Sequence, residues 1–223
     1  MLMQMKRITA SEQIYKEMHS QIMFLELKPG EELNMQKLLQ NAGVSRSPLR
    51  DALLELQEDN LVEIFPQKGS QISRINLKQV EVERFMRSTL ELAVIPLFAK
   101  ACTKEHLLKM RRALEEQKFA LEITDQKAFL NADDDFHKVF FSATGKERIW
   151  DLIQSQSGNY RRIRFLSNQV PEILNNIIGE HERILNSFSE GQMEECLLLD
   201  KKHLTKLIAE IDILETKYPG YFE

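Results

Sequence analysis

The sequence predicts a mainly α chain: three short helices closed by one β-hairpin, followed by an antiparallel bundle of about six longer helices. Three observations predict it. Apolar residues recur at helical spacing along most of the 223 residues. β-prone runs occur as a pair, Leu61 to Phe65 and Ser70 to Ile75, on either side of Pro66-Gln67-Lys68-Gly69. After Leu77 the strand signals vanish, and glycine is sparse.

The first helix covers Ser11 to about Leu25, with Ile14, Met18, Ile22 and Leu25 on one stripe, and Lys28-Pro29-Gly30 ends it. Asn34 can cap a second helix, whose Met35, Leu38, Leu39 and Ala42 share a face. Gly43 can take the backbone angles of the turn that follows. Ser45 is expected to cap a third helix by accepting an early amide, which puts Pro48 in the first turn, where its missing N–H is harmless. That helix runs to about Asn60, with Leu49, Ala52, Leu53 and Leu56 along its inner stripe. The second and third helices thus stand in helix-turn-helix relation, and the hairpin behind them is a wing. Residues 9–75 form a winged helix-turn-helix in this reading. Residues 76–223 form the bundle, with helices at 77–101, 103–123, 126–143, 147–167, 170–188 and 190–215. Asn76 is the linker, and Pro96 is expected to kink the first of these helices.

Composition narrows the function classes. Apolar and charged fractions of 43% and 29% are those of an ordinary soluble protein. The longest apolar run, Leu92 to Ala99, is interrupted by Pro96 and is too short to span a bilayer. Lys6 and Arg7 are not followed by the apolar stretch of a secretory signal. Cys102 and Cys196 show no paired spacing, which suits a reduced, cytoplasmic compartment. Net charge is −4, and residues 1–75 carry nine Lys/Arg against ten Asp/Glu. Any nucleic-acid binding therefore rests on local positive charge and few phosphate contacts.

The local charge is where such binding needs it. Arg46 and Arg50 lie four apart on one helical stripe with Ser47 beside them, and arginine can grip a guanine edge in two places. Two arginines on a helix are more often a solvated face. Here a second basic position, Lys68 beside the bare backbone of Gly69, falls at the tip of the wing. In the bundle, Asp133 and His137 lie four apart on one helix, and His181 and His203 follow on later ones. Three imidazoles and a carboxylate suit a borderline divalent metal such as zinc or nickel, although single helix histidines are more often packed or surface residues. A metal-dependent enzyme in a helical bundle is the alternative. No nucleophile elbow, phosphate loop or His-Glu-x-x-His helix supports it, Thr144-Gly145-Lys146 lacks a glycine-rich lead-in, and only Glu180 or Asp134 could serve as a base.

Residues 11–75 resemble the winged helix-turn-helix of the GntR family of bacterial transcription regulators. The resemblance is carried by Leu27-Lys28-Pro29-Gly30-Glu31-Glu32-Leu33, by Gly43 through Leu53, by Leu61-Val62 and by Lys68-Gly69. It implies that Ser45, Arg46, Ser47 and Arg50 contact operator DNA, with Lys68 and Gly69 at the wing. Gln36 stands where some members carry a DNA-contacting arginine, which leaves open what that helix contacts. The second part resembles the all-helical (FCD-type) effector domain of the fatty-acid-regulator branch. Its signature residues here are Asp133-Asp134-Asp135-Phe136-His137, Glu180-His181-Glu182-Arg183-Ile184-Leu185 and His203. This implies a divalent metal on Asp133, His137, His181 and His203, with Asp134 as the fallback carboxylate. It also implies that Arg87 faces the effector, where a guanidinium beside the metal would clamp a carboxylate. By spacing alone Arg87 is equally a surface arginine paired with Glu91 or Glu83. Arg161, Arg162 and Arg164, near Tyr160, are either more of an anion pocket or a solvated face. The function implied is a ligand-responsive regulator that binds a palindromic double-stranded DNA operator as a homodimer. Its effector would be a small carboxylate, an organic or sugar acid, and no membrane is involved.

Overall fold

The computed structural model describes residues 8–223, apart from the side chains of Pro171, Glu172 and Asn175, so Lys6 and Arg7 lie outside the described residues. The chain divides into two units, one running to Ile75 and including Gly220–Glu223, the other Asn76–Pro219.

The first unit holds α1 (Ala10–Met23), α2 (Met35–Ala42), α3 (Arg46–Glu58), β1 (Val62–Phe65) and β2 (Gly69–Ile72). Thr9 opens α1 one residue before the expected start, in a reciprocal capping box with Glu12. Asn34 accepts the Lys37 amide at 3.0 Å, as its position before α2 requires. Gly43, at φ +61°, turns α2 into α3; a Cβ there would meet nothing, so the backbone angle alone calls for glycine. Ile14, Met18 and Ile22 of α1 pack on Leu49, Ala52 and Leu56 of α3, and Val62 and Ile72 close the core from the hairpin.

β1 and β2 pair antiparallel, Val62 opposite Ile72 and Phe65 opposite Gly69. The second strand ends earlier than its sequence suggests, because the chain turns away to other partners after Ile72. Ser73 N donates to Leu61 O, and Ile75 N donates to Tyr221 O at 2.8 Å. That last bond, with the Ile75–Phe222 bridge, is why the final four residues join the first unit rather than the bundle. The other edge of β2 is covered too: Leu33 N donates to Ser70 O and Ile72 N to Glu31 O. The Lys28-Pro29-Gly30 turn thus leads into backbone that shields the wing from edge-to-edge pairing.

The second unit is helical throughout. It comprises α4 (Leu77–Ala101), α5 (Lys104–Glu122), α6 (Gln126–Ser142), α7 (Glu147–Ser155), α8 (Gly158–Ser167), α9 (Pro171–Ser189), α10 (Met193–Thr205) and α11 (Leu207–Lys217). α4 runs on through Pro96. Two expected helices are each split in two. The stretch 147–167 breaks at Gln156-Ser157, where the Ser157 hydroxyl donates to Ile153 O. The new N-terminus is held from α4: the Glu83 carboxylate accepts the Tyr160 amide at 2.7 Å and the Asn159 side chain at 3.2 Å. The stretch 190–215 breaks at Lys206, after the Thr205 hydroxyl folds back on Lys201 O at 2.8 Å.

α5 lies along α6 and α9, and α10 packs on α4 and α9. The core is aromatic at its centre. Phe98 meets Phe140 edge-on at 5.1 Å and Phe188 at 4.8 Å, and Ile95, Ile153 and Ile184 fill round them. Cys102 and Cys196 are both free thiols. No described helix is long and apolar enough to cross a membrane.

Candidate nucleic-acid interface and metal centre

Burial sorts the first unit's residues by face. Leu49, Ala52, Leu53 and Leu56 of α3 turn into the core, so the 100° step per residue turns Arg46, Ser47 and Arg50 outward, and all three are exposed. Ser45 is exposed as the N-cap, and Lys68 and Gly69 are exposed at the hairpin tip. The tip is a tight reversal, with Gln67 at φ +62° and Gly69 at φ +107°. Ser45 has the extended backbone of a cap, yet its side chain makes no capping hydrogen bond. The reason is Pro48. It occupies the third helical position, whose amide a cap usually binds, and proline has no N–H to give. The Ser45 hydroxyl is therefore not engaged by its own helix, at the positive end of the α3 dipole, where an anion such as phosphate binds well.

In the second unit, α6 carries Asp133 and His137, α9 carries His181, and α10 carries His203. All four are buried, and their ligand atoms lie within 4.8 Å of one another. The Nε2 of His181 is 3.2 Å from that of His137 and 3.3 Å from that of His203, and 3.7 Å from Asp133 Oδ1. The opposite ring nitrogens are each held from behind. His137 Nδ1 meets Glu91 of α4, His181 Nδ1 lies 2.7 Å from Gln117 Oε1 of α5, and His203 Nδ1 lies 2.7 Å from Glu180 Oε2 of α9. Burial would raise Glu91 and Glu180, but the hydrogen-bonded imidazole and the cation beside each, Arg87 and Lys206 respectively, lower them, so each carboxylate serves as an acceptor. A neutral imidazole that donates from Nδ1 to such an acceptor turns its Nε2 lone pair toward the other rings. Lone pairs at such distances repel. A cation among them turns that repulsion into ligation, and the backing acceptors are those that metal-bound histidines carry.

The electrostatics favour the same state. Burial and the neighbouring His203 push His181 well below its ordinary value, and burial lowers His203 to about 4, so both are neutral, as ligands must be. Burial alone would raise Asp133, but the Arg164 guanidinium and the surrounding imidazoles hold it well below the usual carboxylate range. Phe136 stacks on the His181 ring at 4.4 Å and fixes its plane. Asp134, the fallback carboxylate, stands outside the cluster: it is taken up by Arg161 and by Arg164 Nη1 at 2.9 Å. The donor set, one carboxylate and three imidazoles, could hold a divalent metal.

Arg87 is buried rather than on the surface. Its Nε donates to Glu91 Oε2 at 3.2 Å, and its guanidinium lies 5.7 Å from the Trp150 ring and 5.9 Å from that of Tyr160. Its Nη2 is buried without a hydrogen-bond partner. Arg87, Asp133 and His203 line one pocket, whose wall is Leu130, Ile173, Ile177 and Leu207. Arg164 also lines it, whereas Arg162 is buried on Asn159 and Gly158 O, and Arg161 serves Asp134. Sequence reasoning missed the residues behind the histidines. Glu180 sits directly before His181, but nothing in the sequence marks Gln117 or Glu91 as their partners. It also missed Asp200, fully buried without a hydrogen-bond partner for either carboxyl oxygen and raised well above the carboxylate range by burial and the nearby Glu91.

Comparison with known proteins agrees with this architecture. Residues 10–72 match the family of bacterial regulatory proteins, gntR family, and residues 84–206 match the FCD domain. The chain is 29% identical over 157 residues to the HTH-type transcriptional repressor RspR of Escherichia coli (strain K12), covering 70% of this chain and 69% of that protein. It is 28% identical over 221 residues to the HTH-type transcriptional regulator LutR of Bacillus subtilis (strain 168), covering 89% and 96%. Among solved structures, McbR/YncC of E. coli superposes with a TM-score of 0.75 at 20% identity, over 95% of this chain and all of that one. A GntR regulator of Rhodococcus sp. RHA1 gives a TM-score of 0.77 at 22% identity, over 92% and 97%. At that identity the structures speak for the fold.

Proposed function

The chain belongs to the gntR family of bacterial regulatory proteins, with an FCD domain as its helical unit, and from that premise we propose a homodimer whose hold on a palindromic operator is set by a small carboxylate at a metal site. Being a DNA-binding transcription regulator, not an enzyme, is what the family and the relatives above have in common. In this reading Ser45, Arg46, Ser47 and Arg50 enter the major groove, and Lys68 and Gly69 approach the backbone beside it. Asp133, His137, His181 and His203 would hold a divalent ion, zinc or nickel by the chemistry of the donors.

The observation that carries the effector reading is the buried, unpartnered Nη2 of Arg87, a residue that lines the same pocket as Asp133 and His203. A buried guanidinium N–H left without an acceptor is costly, and a carboxylate oxygen satisfies it with a charge-assisted bond. The bound metal would offer a second positive charge to the same carboxylate. Arg87 then orients the ligand, and the apolar wall excludes water from it. Such a ligand can switch the protein only by binding one arrangement of the dimer more tightly than the other. The test is a thermal-shift screen of small carboxylates on metal-loaded and chelated protein. A saturating hit should raise the melting temperature by roughly 5–10 °C in loaded protein alone. The reading fails if no acid in a broad panel gives a metal-dependent shift.

The homodimer has its own support. On α4, Val82, Phe85, Thr89, Ala93 and Leu97 recur at helical spacing on the exposed side, with Phe85 62% and Val82 58% exposed. This uncharged stripe is about four turns long and suits a self-complementary contact with a second copy. Phe85→Glu should convert dimer to monomer in light scattering and weaken operator binding in step. A Phe85→Glu variant that stays dimeric would assign the contact to another face.

A further inference from the structure

The pocket already described has further charged residues in its lining. Arg87, 2% exposed, lines it with Asp133 and His203. Lys206 and Glu210, at the start of and within α11, and Asn168, after α8, line it as well. Glu210 is half-buried; burial and the nearby Glu180 raise its carboxyl above the ordinary carboxylate range, and the Lys206 ammonium one turn earlier pulls the other way. Lys206 is itself engaged by Glu180, which also holds His203. Lys206 is thus already matched by a carboxylate of the protein, and Glu210 lines the pocket beside it.

We infer that Glu210 sets the effector class: a monocarboxylate whose far end donates hydrogen bonds, through a hydroxyl or an ammonium, with dicarboxylates of the same length excluded. This rests on the reading that the carboxylate end binds at Arg87. A ligand anchored there extends past Leu130, Ile173, Ile177 and Leu207, with Tyr160 and Ser167 also in the lining. Its other end arrives beside Glu210 and Asn168. A hydroxyl or ammonium can donate to the Glu210 carboxylate, and the Asn168 amide can donate or accept as needed. A second ligand carboxylate would meet a like charge in partly desolvated surroundings, with no unused cation to separate the two. Discrimination here works by repulsion of the wrong end, in the way a specificity site rejects more than it attracts.

The experiment uses the full-length, metal-loaded protein and matched pairs of acids: 4-hydroxybutyrate and 4-aminobutyrate against succinate, and 6-hydroxyhexanoate and 6-aminohexanoate against adipate. Affinities are read by calorimetry in wild type and in Glu210→Gln, which keeps the side chain's size and hydrogen bonding but removes its charge. Wild type should prefer the hydroxy or amino acid of at least one pair by about tenfold or more. In Glu210→Gln that preference should fall to within about threefold, through tighter binding of the dicarboxylate. Equal affinity for both members of every pair in wild type overturns the inference, as does a preference that Glu210→Gln leaves intact. If the wild-type protein binds none of the six acids, the carboxylate reading of the pocket fails and this inference with it. If it binds them without discrimination, only the role of Glu210 is lost.

Discussion

Replacing Arg46 and Arg50 together by alanine should weaken operator binding by roughly two to four orders of magnitude while leaving metal content and melting temperature unchanged. The size follows from geometry. Each arginine that grips a guanine edge in two places contributes about 1–3 kcal/mol of discrimination, and the two lie one turn apart on the same exposed stripe of α3. The absence of a stability cost follows from burial, since both side chains point to solvent while Leu49 and Leu53 beside them hold the helix in the core. DNA enriched from a random pool by the wild-type protein supplies the probe. Comparing that sequence with scrambled duplex separates two roles. Base readers lose the enriched sequence preferentially, whereas phosphate contacts lose both alike and flatten the salt dependence by about one unit each. Lys68→Ala should show the second pattern, being one charge at the tip of the wing. A double variant that holds its operator as tightly as wild type would remove α3 from the interface.

The contrast between the two units explains what could be read from the residues alone. In the first, short-range chemistry decides: Gly43 must turn, Asn34 caps α2, and the apolar spacing of α3 fixes which arginines face out. Its one local failure is a conflict between neighbours, because Pro48 is well placed to start a helix but removes the amide that Ser45 would have capped. In the second unit the spacing puts Asp133 and His137 on one face, and the resemblance adds His181 and His203 to the cluster that the fold brings together. What supports them could not be read that way. Glu91, Gln117 and Glu180 come from α4, α5 and α9, and only the packing of those helices brings each behind its own imidazole. The break between α7 and α8 has the same origin. Nothing in residues 147–167 forbids one continuous helix, but a carboxylate on α4, 77 residues earlier than Tyr160, binds the amide that opens the second. Likewise the sequence leaves Arg87 evenly between a surface and an effector-facing reading, and only the closed bundle shows it buried.

Removing the metal should cost the second unit much of its stability, and His181→Ala should do the same permanently. Without a cation, the His181 Nε2 stands 3.2 Å from that of His137 and 3.3 Å from that of His203 in a buried site, with Asp133 paired to Arg164. A tightly held ion at a thousand times its dissociation constant contributes about 4 kcal/mol, so chelation should lower the melting temperature by roughly 10 °C. Added zinc or nickel should restore it in wild type but not in His181→Ala, and elemental analysis should fall from one ion per chain to none. Gln117→Ala tests the same centre more gently. It leaves the four candidate ligands in place but removes the acceptor behind His181 Nδ1, leaving Phe136 and the other two imidazoles to orient the ring. Loss of such a backing group typically weakens metal affinity by about ten- to a hundredfold. The order wild type, Gln117→Ala, His181→Ala in a competition with a coloured chelator is therefore the specific expectation. A different order, with Gln117→Ala equal to wild type, would mean that packing alone orients the ring. Unchanged melting after chelation, with no ion found in the purified protein, would leave the cluster as a buried polar network held together by its outer carboxylates.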